Sequence, residues 1–389
     1  MENVLEIKDL KVRFYTYAGV VKALEGINLN VRKGETFGIV GETGCGKSVT
    51  ALSTLLLTPS PGQIEEGEIL LERNGHYQDL SKLDEAELRD MRGNEISMVF
   101  QEPGEALNPV YSVGEQIAEA FLAHRQKEMA EKILGELEDE LKNEKGFLKR
   151  NILKAKKKIY KKIRENPDSY TVRLLSKIPI VKRYRNSLLE ESERRAVKIL
   201  DDVGIPEPEE ITDKNPHELS GGMKQRVVIS MALACKPKLL IADEPTSNLD
   251  VSIQARILNL LNDLKEEYGL SILYITHDLG VVAQTCDRAG VMYAGRIIEV
   301  AEIEELFENP KHPYTKTLLM AVPSPEKENL ESVGGSVPDL VSPPPGCRFH
   351  PRCNKATEIC SKKAPPMEEV KEEHTIACHN WRNEDEDNS

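Results

Sequence analysis

The sequence Gly41-Glu42-Thr43-Gly44-Cys45-Gly46-Lys47-Ser48 has the spacing of a loop that binds nucleotide phosphates. Glycines let a backbone pass close to phosphate oxygens, and the N–H groups at the start of a following helix attract an anion. We expect Lys47 to reach the β- and γ-phosphates of ATP and the Ser48 hydroxyl to ligate Mg²⁺. The alternative is a chance glycine-rich turn. The residues expected to bind ATP at this loop are Gly41, Glu42, Thr43, Gly44, Cys45, Gly46, Lys47, Ser48 and Val49.

Two carboxylates follow the apolar run Leu239-Leu240-Ile241-Ala242. A buried strand that ends in Asp243 and Glu244 delivers both side chains to one edge of a sheet. Asp243 can hold Mg²⁺, directly or through water, and Glu244 can polarise an attacking water. The pair is a weak signal alone, because apolar strands often end in acids, and it becomes strong about 200 residues after a phosphate-binding loop.

A third motif, Leu219-Ser220-Gly221-Gly222-Met223-Lys224-Gln225-Arg226, opens an apparent helix from Met223 to Cys235. A serine before a helix start is either an ordinary N-cap or part of an anion site, and the residues alone do not separate the two.

These motifs require a scaffold of parallel strands. Thr36–Val40 precedes the phosphate loop, a helix is expected from Ser48 onward, and Ser271–Thr276 is another short apolar run. Such runs fit strands that are covered on both faces. The order of strand, glycine-rich turn, helix and later strands predicts an α/β fold with a parallel sheet.

In combination, the motifs resemble those of the nucleotide-binding subunits of ABC transporters. In the order of that family, Gln101 matches the Q-loop, Asp250 the D-loop and His277 the switch histidine. The resemblance implies a P-loop ABC ATPase: a RecA-like core with an antiparallel β-subdomain and a helical subdomain. It implies catalytic roles for Glu244, His277 and Gln101, and an Mg²⁺ site at Ser48, Gln101 and Asp243.

The resemblance also implies a pair of such subunits, a hetero- or homodimer, facing head to tail with ATP between them. The signature residues Ser220, Gly221, Gly222 and Gln225 would serve the ATP of the partner. One departure from the family is Asn248, where Ala is usual. An aromatic ring near the N-terminus should stack on adenine; Tyr17 is expected, with Phe14 and Tyr15 as competitors and a core strand aromatic as the alternative.

Further segments resemble the oligopeptide and dipeptide importer subfamily, which carries a C-terminal extension. They are Ala106–Val110, His312–Thr315, Pro323–Pro325 and Gly346–Cys353. The implied partners are two transmembrane permease subunits and, indirectly, an extracellular or periplasmic substrate-binding protein. The implied activity is ATP hydrolysis that energises peptide import. Some members of the subfamily import nickel or oligosaccharides, so these cargoes remain open.

On this basis we expect a nucleotide-binding domain over 1–310, with its helical subdomain at about 102–236, and an extension over 311–389. An insertion at 126–195 interrupts the family pattern with 20 Lys and Arg against 12 Asp and Glu. Two helices of ~30 residues, each ~45 Å long, would fit it. It is either a solvated helical hairpin or a basic arm that touches anionic lipid or nucleic acid.

Four of the seven cysteines fall within 32 residues, as Cys347-x5-Cys353-x6-Cys360-x17-Cys378. Zinc sites usually contain a short C-x2–4-C pair, which is missing, so four thiolates fit a [4Fe–4S] cluster better. Related subunits of the subfamily resemble this pattern and hold such a cluster. Zinc, a disulfide pair or free thiols are the alternatives, and His350, His374 or His379 could replace a ligand. Because the cluster follows every nucleotide motif, we expect a change at Cys353 to leave ATP affinity nearly intact.

Composition narrows the location and the class of partner. The chain has 389 residues, 30% of them charged, and a net charge of −13, which disfavours nucleic acid as a whole-chain partner. The start Met1–Glu6 lacks the features of a signal peptide, and no apolar run approaches the ~20 residues of a membrane span. We therefore expect a peripheral protein on the cytoplasmic side of the cell membrane. A soluble ABC ATPase acting on RNA or ribosomes is the rival class, and a non-hydrolysing regulatory subunit is a third.

Overall fold

The structure is a computed structural model that describes residues 2–165, 179–321 and 334–384. Within those ranges, no helix is both long enough and apolar enough to cross a lipid bilayer. The predicted family segment Pro323–Pro325 and part of the 126–195 insertion lie outside the described residues.

The chain divides into two compact units. The first consists of Met1–Arg92, Lys238–Ser247 and Leu258–Ser389, and the second of Gly93–Pro237 and Asn248–Ile257. Each unit is therefore assembled from segments that are far apart in the sequence.

The described residues form strands in both units. In chain order the strands are β1 (Asn3–Thr16), β2 (Gly19–Arg32), β3 (Thr36–Val40), β4 (Gly62–Arg73), β5 (His76–Asp79), β6 (Ile96–Val99), β7 (Leu239–Asp243), β8 (Ser271–Thr276), β9 (Arg288–Tyr293), β10 (Arg296–Glu302), β11 (Glu368–Lys371) and β12 (His374–Ile376).

The first unit contains an antiparallel sheet and a mainly parallel one. The antiparallel sheet has the order β2-β1-β4-β5. In the other sheet, the strands of the first unit follow the order β11-β12-β10-β9-β3-β8-β7. The pairs β7–β8, β8–β3 and β3–β9 are parallel, as the sequence predicts, and every residue of these four strands is buried.

The carboxyl ends of β3, β7 and β8 lie at one edge of the parallel sheet, because the three strands run in the same direction. That edge receives the residues that directly follow each strand: the glycine-rich loop, Glu244 and His277. On the side of the sheet next to β10, β12 pairs with β10 and β11 pairs with β12, so the C-terminal region adds two strands to this sheet.

The helices of the described residues range from 4 to 24 residues in length. In chain order they are α1 (Lys47–Thr54), α2 (Glu85–Met91), α3 (Pro103–Ala106), α4 (Val113–His124), α5 (Gln126–Asn143), α6 (Phe147–Glu165), α7 (Pro179–Asp202), α8 (Pro208–Thr212), α9 (Gly221–Leu233), α10 (Val251–Tyr268), α11 (Leu279–Thr285), α12 (Ile303–Glu308), α13 (Pro313–Met320) and α14 (Glu358–Lys362).

The insertion is helical, but the prediction of two ~30-residue helices is wrong for the described residues. The helices α5 and α6 have 18 and 19 residues, and α7 has 24 and runs past residue 195. The first break comes at 144–146, where the Gly146 N–H donates to Oε1 of Glu144 at 2.9 Å. Beyond the break, α6 packs against α5 and buries Leu153, Tyr160 and Ile163.

Candidate functional site

The glycine-rich loop connects β3 to α1, as the sequence predicts. Gly44 and Gly46 have φ values of 81° and 110°, in the left-handed region that favours glycine. At Gly41, a Cβ atom would lie 2.2 Å from the backbone oxygen of Met292. The loop therefore needs glycine at these positions, and it leads directly to the N–H groups at the start of α1, where an anion is stabilised.

Lys47 is buried beneath this loop, with 5% of its surface exposed. Its ammonium donates to the backbone oxygens of Gly41 at 2.8 Å and of Glu42 at 3.1 Å. Both partners are neutral carbonyl oxygens, whereas a buried ammonium binds most strongly to a negatively charged group. An anion in the loop would therefore find the ammonium of Lys47 already in place.

The acid that ends β7 contacts the loop from the other side. The Ser48 hydroxyl donates to Oδ1 of Asp243 at 3.2 Å. Burial raises the pKa of Asp243 to about 6; the Ser48 hydrogen bond opposes this shift, the charge of Glu244 adds to it, and Lys47 opposes it. A buried carboxylate beside a hydroxyl is an oxygen donor set that fits Mg²⁺, whose charge would stabilise the ionised acid.

Glu244 and His277 lie side by side after β7 and β8. Nδ1 of His277 is 3.1 Å from Oε1 of Glu244. Glu244 has a φ of 45°, and its N–H donates to the backbone oxygen of Ile275 at 2.8 Å. The side chain of His277 is 57% exposed and that of Glu244 is 12% exposed. The pair thus offers a carboxylate that can polarise water and a neighbouring imidazole that solvent can reach.

Tyr17 occupies the turn between β1 and β2, and its side chain is fully exposed. Its competitors are less available: the Tyr15 hydroxyl donates to Glu65, and Phe14 is partly buried against Gly62. Tyr17 is thus the most exposed of the three candidate rings.

Three further predicted positions belong to the second unit. Gln101 lies two residues after the end of β6 and is exposed. The Asn248 amide donates to Oε1 of Glu102 at 2.7 Å. Oδ1 of Asp250 accepts the Ser252 hydroxyl at 2.7 Å and the Ile253 N–H at 2.9 Å, and these hydrogen bonds lower the pKa of Asp250. Asp250 is therefore ionised and held at the start of α10.

The serine-glycine motif also lies in the second unit and opens α9. The Ser220 hydroxyl accepts the Met223 N–H at 3.4 Å, so the helix starts two residues before the predicted Met223. At Gly222, a Cβ would come within 2.9 Å of Ile253. Gln225 is 1% exposed, and within the described residues its side-chain nitrogen has no hydrogen-bond partner. That orphaned donor is compatible with a ligand-binding role.

The C-terminal extension contacts the phosphate loop directly, which the sequence analysis did not anticipate. The guanidinium of Arg352 donates to both carboxylate oxygens of Glu42, each at 3.0 Å. The Tyr314 hydroxyl accepts the Glu42 N–H at 3.1 Å. The sequence reasoning missed both residues as functional candidates. They lie in the importer-like segments His312–Thr315 and Gly346–Cys353, but no spacing rule links Arg352 to a glutamate 310 positions earlier.

Comparison with known proteins identifies the family. A family model described as "ABC transporter" matches residues 24–247. The chain belongs to the ABC transporter family. A second model, "Oligopeptide/dipeptide transporter, C-terminal region", matches residues 298–360, which include Tyr314 and Arg352.

Curated relatives resemble this ABC transporter chain over nearly its whole length. The oligopeptide transport ATP-binding protein OppD of Bacillus subtilis is 42% identical over 378 residues, covering 96% of this chain and 88% of that protein. The dipeptide transport ATP-binding protein DppD of the same organism is 40% identical, covering 97% and 95%. Among solved structures, cbiO1 of Clostridium perfringens, part of the ABC transporter complex cbiONQ, has a TM-score of 0.53 at 26% identity, covering 79% and 92%. The cassette fold is thus shared with that protein.

The four clustered cysteines are free thiols that line one small pocket. Burial raises the thiol pKa of Cys347, Cys353 and Cys378, in the last case to about 11. Across residues 2–165, 179–321 and 334–384, no group of three or more Cys, His, Asp or Glu side chains is arranged to hold a metal ion. The donor chemistry fits a thiolate-bound metal, whereas the separations of the side chains do not form a ready site.

Proposed function

We propose that the chain is the ATP-hydrolysing subunit of a membrane importer for oligopeptides or dipeptides. The observation that carries this proposal is the convergence of Lys47, the Ser48–Asp243 contact and the Glu244–His277 pair at one edge of a parallel sheet. The peptide cargo is supported by the match to the oligopeptide/dipeptide transporter C-terminal region and by the names of the OppD and DppD relatives.

In this proposal the loop over Gly41–Val49 binds the phosphates of ATP, and Tyr17 stacks on adenine. The ammonium of Lys47 exchanges its backbone partners for phosphate oxygens. Ser48 and Asp243 would hold Mg²⁺, which would neutralise charge on the phosphates. The family resemblance suggests Gln101 as a further Mg²⁺ ligand. Glu244 orients and polarises the water, and His277, beside it, holds the carboxylate in position and contacts the γ-phosphate.

The second half of each ATP site comes from a second ABC ATPase subunit, of the same or a different sequence. In this proposal the signature residues Ser220, Gly221, Gly222 and Gln225 serve the ATP of that partner, and Asp250 lies at the seam. The buried, unpartnered amide nitrogen of Gln225 supports a role in such a ligand site. The pair docks on two permease subunits at the cytoplasmic side of the membrane, and a substrate-binding protein outside delivers the cargo.

We assign residues 1–310 to the nucleotide-binding domain and 311–389 to the extension. The RecA-like core holds the parallel strands, the antiparallel sheet forms its β-subdomain, and the helical subdomain covers about 102–236. The extension adds β11 and β12 to the sheet of the core. The boundary at residue 310 therefore separates two regions of the sequence and not two independently folded domains.

Reconstitution tests the function. The chain should co-purify with two permease subunits, and the complex in liposomes should hydrolyse ATP faster when a peptide-loaded binding protein is added. Stimulation by nickel or an oligosaccharide instead would reassign the cargo. ATP hydrolysis that RNA stimulates, without any permease, would replace the transporter proposal with the soluble class.

We also propose that Cys347, Cys353, Cys360 and Cys378 hold a [4Fe–4S] cluster, with Zn²⁺ as the alternative. Four free thiols lining one pocket support it, and binding requires the thiols to draw together. The cluster would have a structural role. Protein purified without air should carry about four irons per chain and an equal amount of sulfide. One zinc and no iron per chain would show that the cysteines bind Zn²⁺ instead. If neither metal is found, the four cysteines are free thiols.

A further inference from the structure

The carboxylate of Glu42 is a negative charge inside a loop whose proposed ligand is an anion. Arg352 meets it with two parallel hydrogen bonds of 3.0 Å. The side chain of Arg352 is 9% exposed and that of Glu42 is 24% exposed, so water screens the pair weakly. Bidentate contacts between arginine and a carboxylate are among the strong, directional hydrogen bonds of proteins.

Arg352 is itself held in place on several sides. Its Nε donates to the backbone oxygen of Gly334 at 2.8 Å, and a terminal nitrogen donates to the Tyr293 hydroxyl at 3.3 Å. The guanidinium carbon lies 5.7 Å from the ring centre of Tyr293 and 6.0 Å from that of Phe349. An arginine packed on aromatic rings loses little further freedom when it binds a carboxylate.

The backbone of Glu42 is fixed by the same region. Its N–H donates to the hydroxyl of Tyr314, a fully buried residue. The Tyr314 ring lies 4.6 Å from that of Tyr293 and 5.3 Å from that of Phe349, edge to face. Three aromatic residues and one arginine of the segment 293–352 therefore hold both the main chain and the side chain of one phosphate-loop residue.

We propose that Arg352 is a positioning residue of the nucleotide site, which neutralises Glu42 and holds this residue of the phosphate loop in place for binding of the triphosphate. Without Arg352, the Glu42 carboxylate is an unpaired negative charge beside incoming phosphates, and like charges repel strongly where screening is weak. Arg352 acts through Glu42. The inference rests on the ATP site proposed above and adds that the C-terminal region sets the affinity of that site.

A double-mutant cycle on the full chain tests the inference. The variants are Arg352→Gln, Glu42→Gln and the double variant, and the measured quantity is the Kd of a fluorescent ATP analogue at fixed Mg²⁺. We expect Arg352→Gln to raise Kd roughly tenfold, within the range of coupling between contacting residues. In the Glu42→Gln background, the same change should alter Kd less than twofold, because the charge to be neutralised is gone.

A matched control separates this effect from general damage to the extension. Arg382→Gln removes an exposed arginine of the same region, which pairs with Glu368, and should leave Kd within twofold of wild type. Arg352→Lys keeps the charge and loses the bidentate contact, so its Kd should fall between wild type and Arg352→Gln. In steady-state hydrolysis, Arg352→Gln should raise KM for ATP with a smaller change in kcat.

The possible failures are distinguishable. An Arg352→Gln chain that folds and binds with wild-type Kd would overturn the inference, as would an equal loss of affinity with and without Glu42. If Arg352→Gln does not fold, a wild-type Kd in Arg352→Lys would overturn it. A wild-type chain that binds no ATP analogue would overturn the proposed function as well.

Discussion

The phosphate loop and the C-terminal region of the first unit meet at Glu42. The role of the loop can be predicted from the sequence, whereas the contact made by the C-terminal region cannot. The loop is a run of eight residues, Gly41–Ser48, whose chemistry follows from the order of its residue types. The segment Gly346–Cys353 has an equally distinctive sequence, but its Arg352 pairs with a loop residue 310 positions earlier. A ligand site built from neighbours in the chain can be predicted, whereas a support built across the sheet becomes visible only in three dimensions.

The difference also separates two kinds of contribution to the same function. Loop residues such as Lys47 would touch the nucleotide, so their replacement should affect binding or chemistry directly. Residues such as Arg352 and Tyr314 would act on the loop, so their replacement should change affinity by smaller factors. Substitutions of both kinds therefore test whether this division holds.

The largest effect is expected at Glu244. Glu244→Gln keeps the shape of the side chain and removes the charge that polarises water, so kcat should fall at least about 100-fold while ATP still binds. ATP turnover is measured in the complete transporter, with Glu308→Gln, an exposed glutamate of α12, as the control. Turnover near the wild-type rate would mean that the partner subunit carries hydrolysis or that Glu244 has another role.

The second effect concerns the stability of the C-terminal region at low pH. Burial lowers the pKa of His312 to about 4, partly offset by the nearby charge of Glu299. The unfolded chain takes up a proton at this position below pH 6.5 and the folded chain only near pH 4, so stability falls as pH drops between these values. The free energy of unfolding should decrease by about 3 kcal/mol over that window.

A variant isolates this contribution of His312. Nδ1 of His312 accepts the Tyr314 N–H at 3.0 Å and caps α13, and the side-chain oxygen of His312→Asn can accept the same hydrogen bond without titrating. Urea unfolding from pH 7 to 4 should show the extra loss in wild type and not in His312→Asn. The exposed-histidine control His217→Asn should follow wild type. Parallel pH profiles for all three would contradict a buried neutral imidazole.

Much of the parallel sheet was predictable, because short apolar runs between charged or turn residues are typical of buried strands. The predicted runs Thr36–Val40 and Ser271–Thr276 coincide with β3 and β8. The site residues that directly follow these strands were predictable for the same reason. The insertion was less so: its charge pattern indicates helix but does not set the helix lengths, which the break at 144–146 between α5 and α6 determines.

The third prediction removes the cation of the loop. Lys47→Ala should weaken binding of a fluorescent ATP analogue by about 2 kcal/mol, or roughly 30-fold, because it deletes a buried charge that meets the phosphates. Lys238→Ala, a partly exposed lysine near Glu72 at the start of β7, serves as the control and should leave Kd unchanged. Equal affinity in Lys47→Ala and wild type would contradict the phosphate role and weaken the contrast between ligand contacts and supports.

The smallest effect is expected at the Tyr314 hydroxyl. Tyr314→Phe keeps the ring in its aromatic cluster and removes only the acceptor for the Glu42 N–H, worth about 1 kcal/mol or roughly fivefold in Kd for ATP. Tyr160→Phe, at a buried tyrosine of α6 in the other unit, should leave Kd unchanged although it also deletes a buried hydroxyl. Tyr314 holds the N–H of Glu42 and Arg352 holds its carboxylate. The losses of binding free energy in the two variants should therefore add, unless breaking one contact also breaks the other. A combined loss well below the product of the single losses would show that losing either contact already releases the loop. No loss in Tyr314→Phe would confine the coupling to the salt bridge.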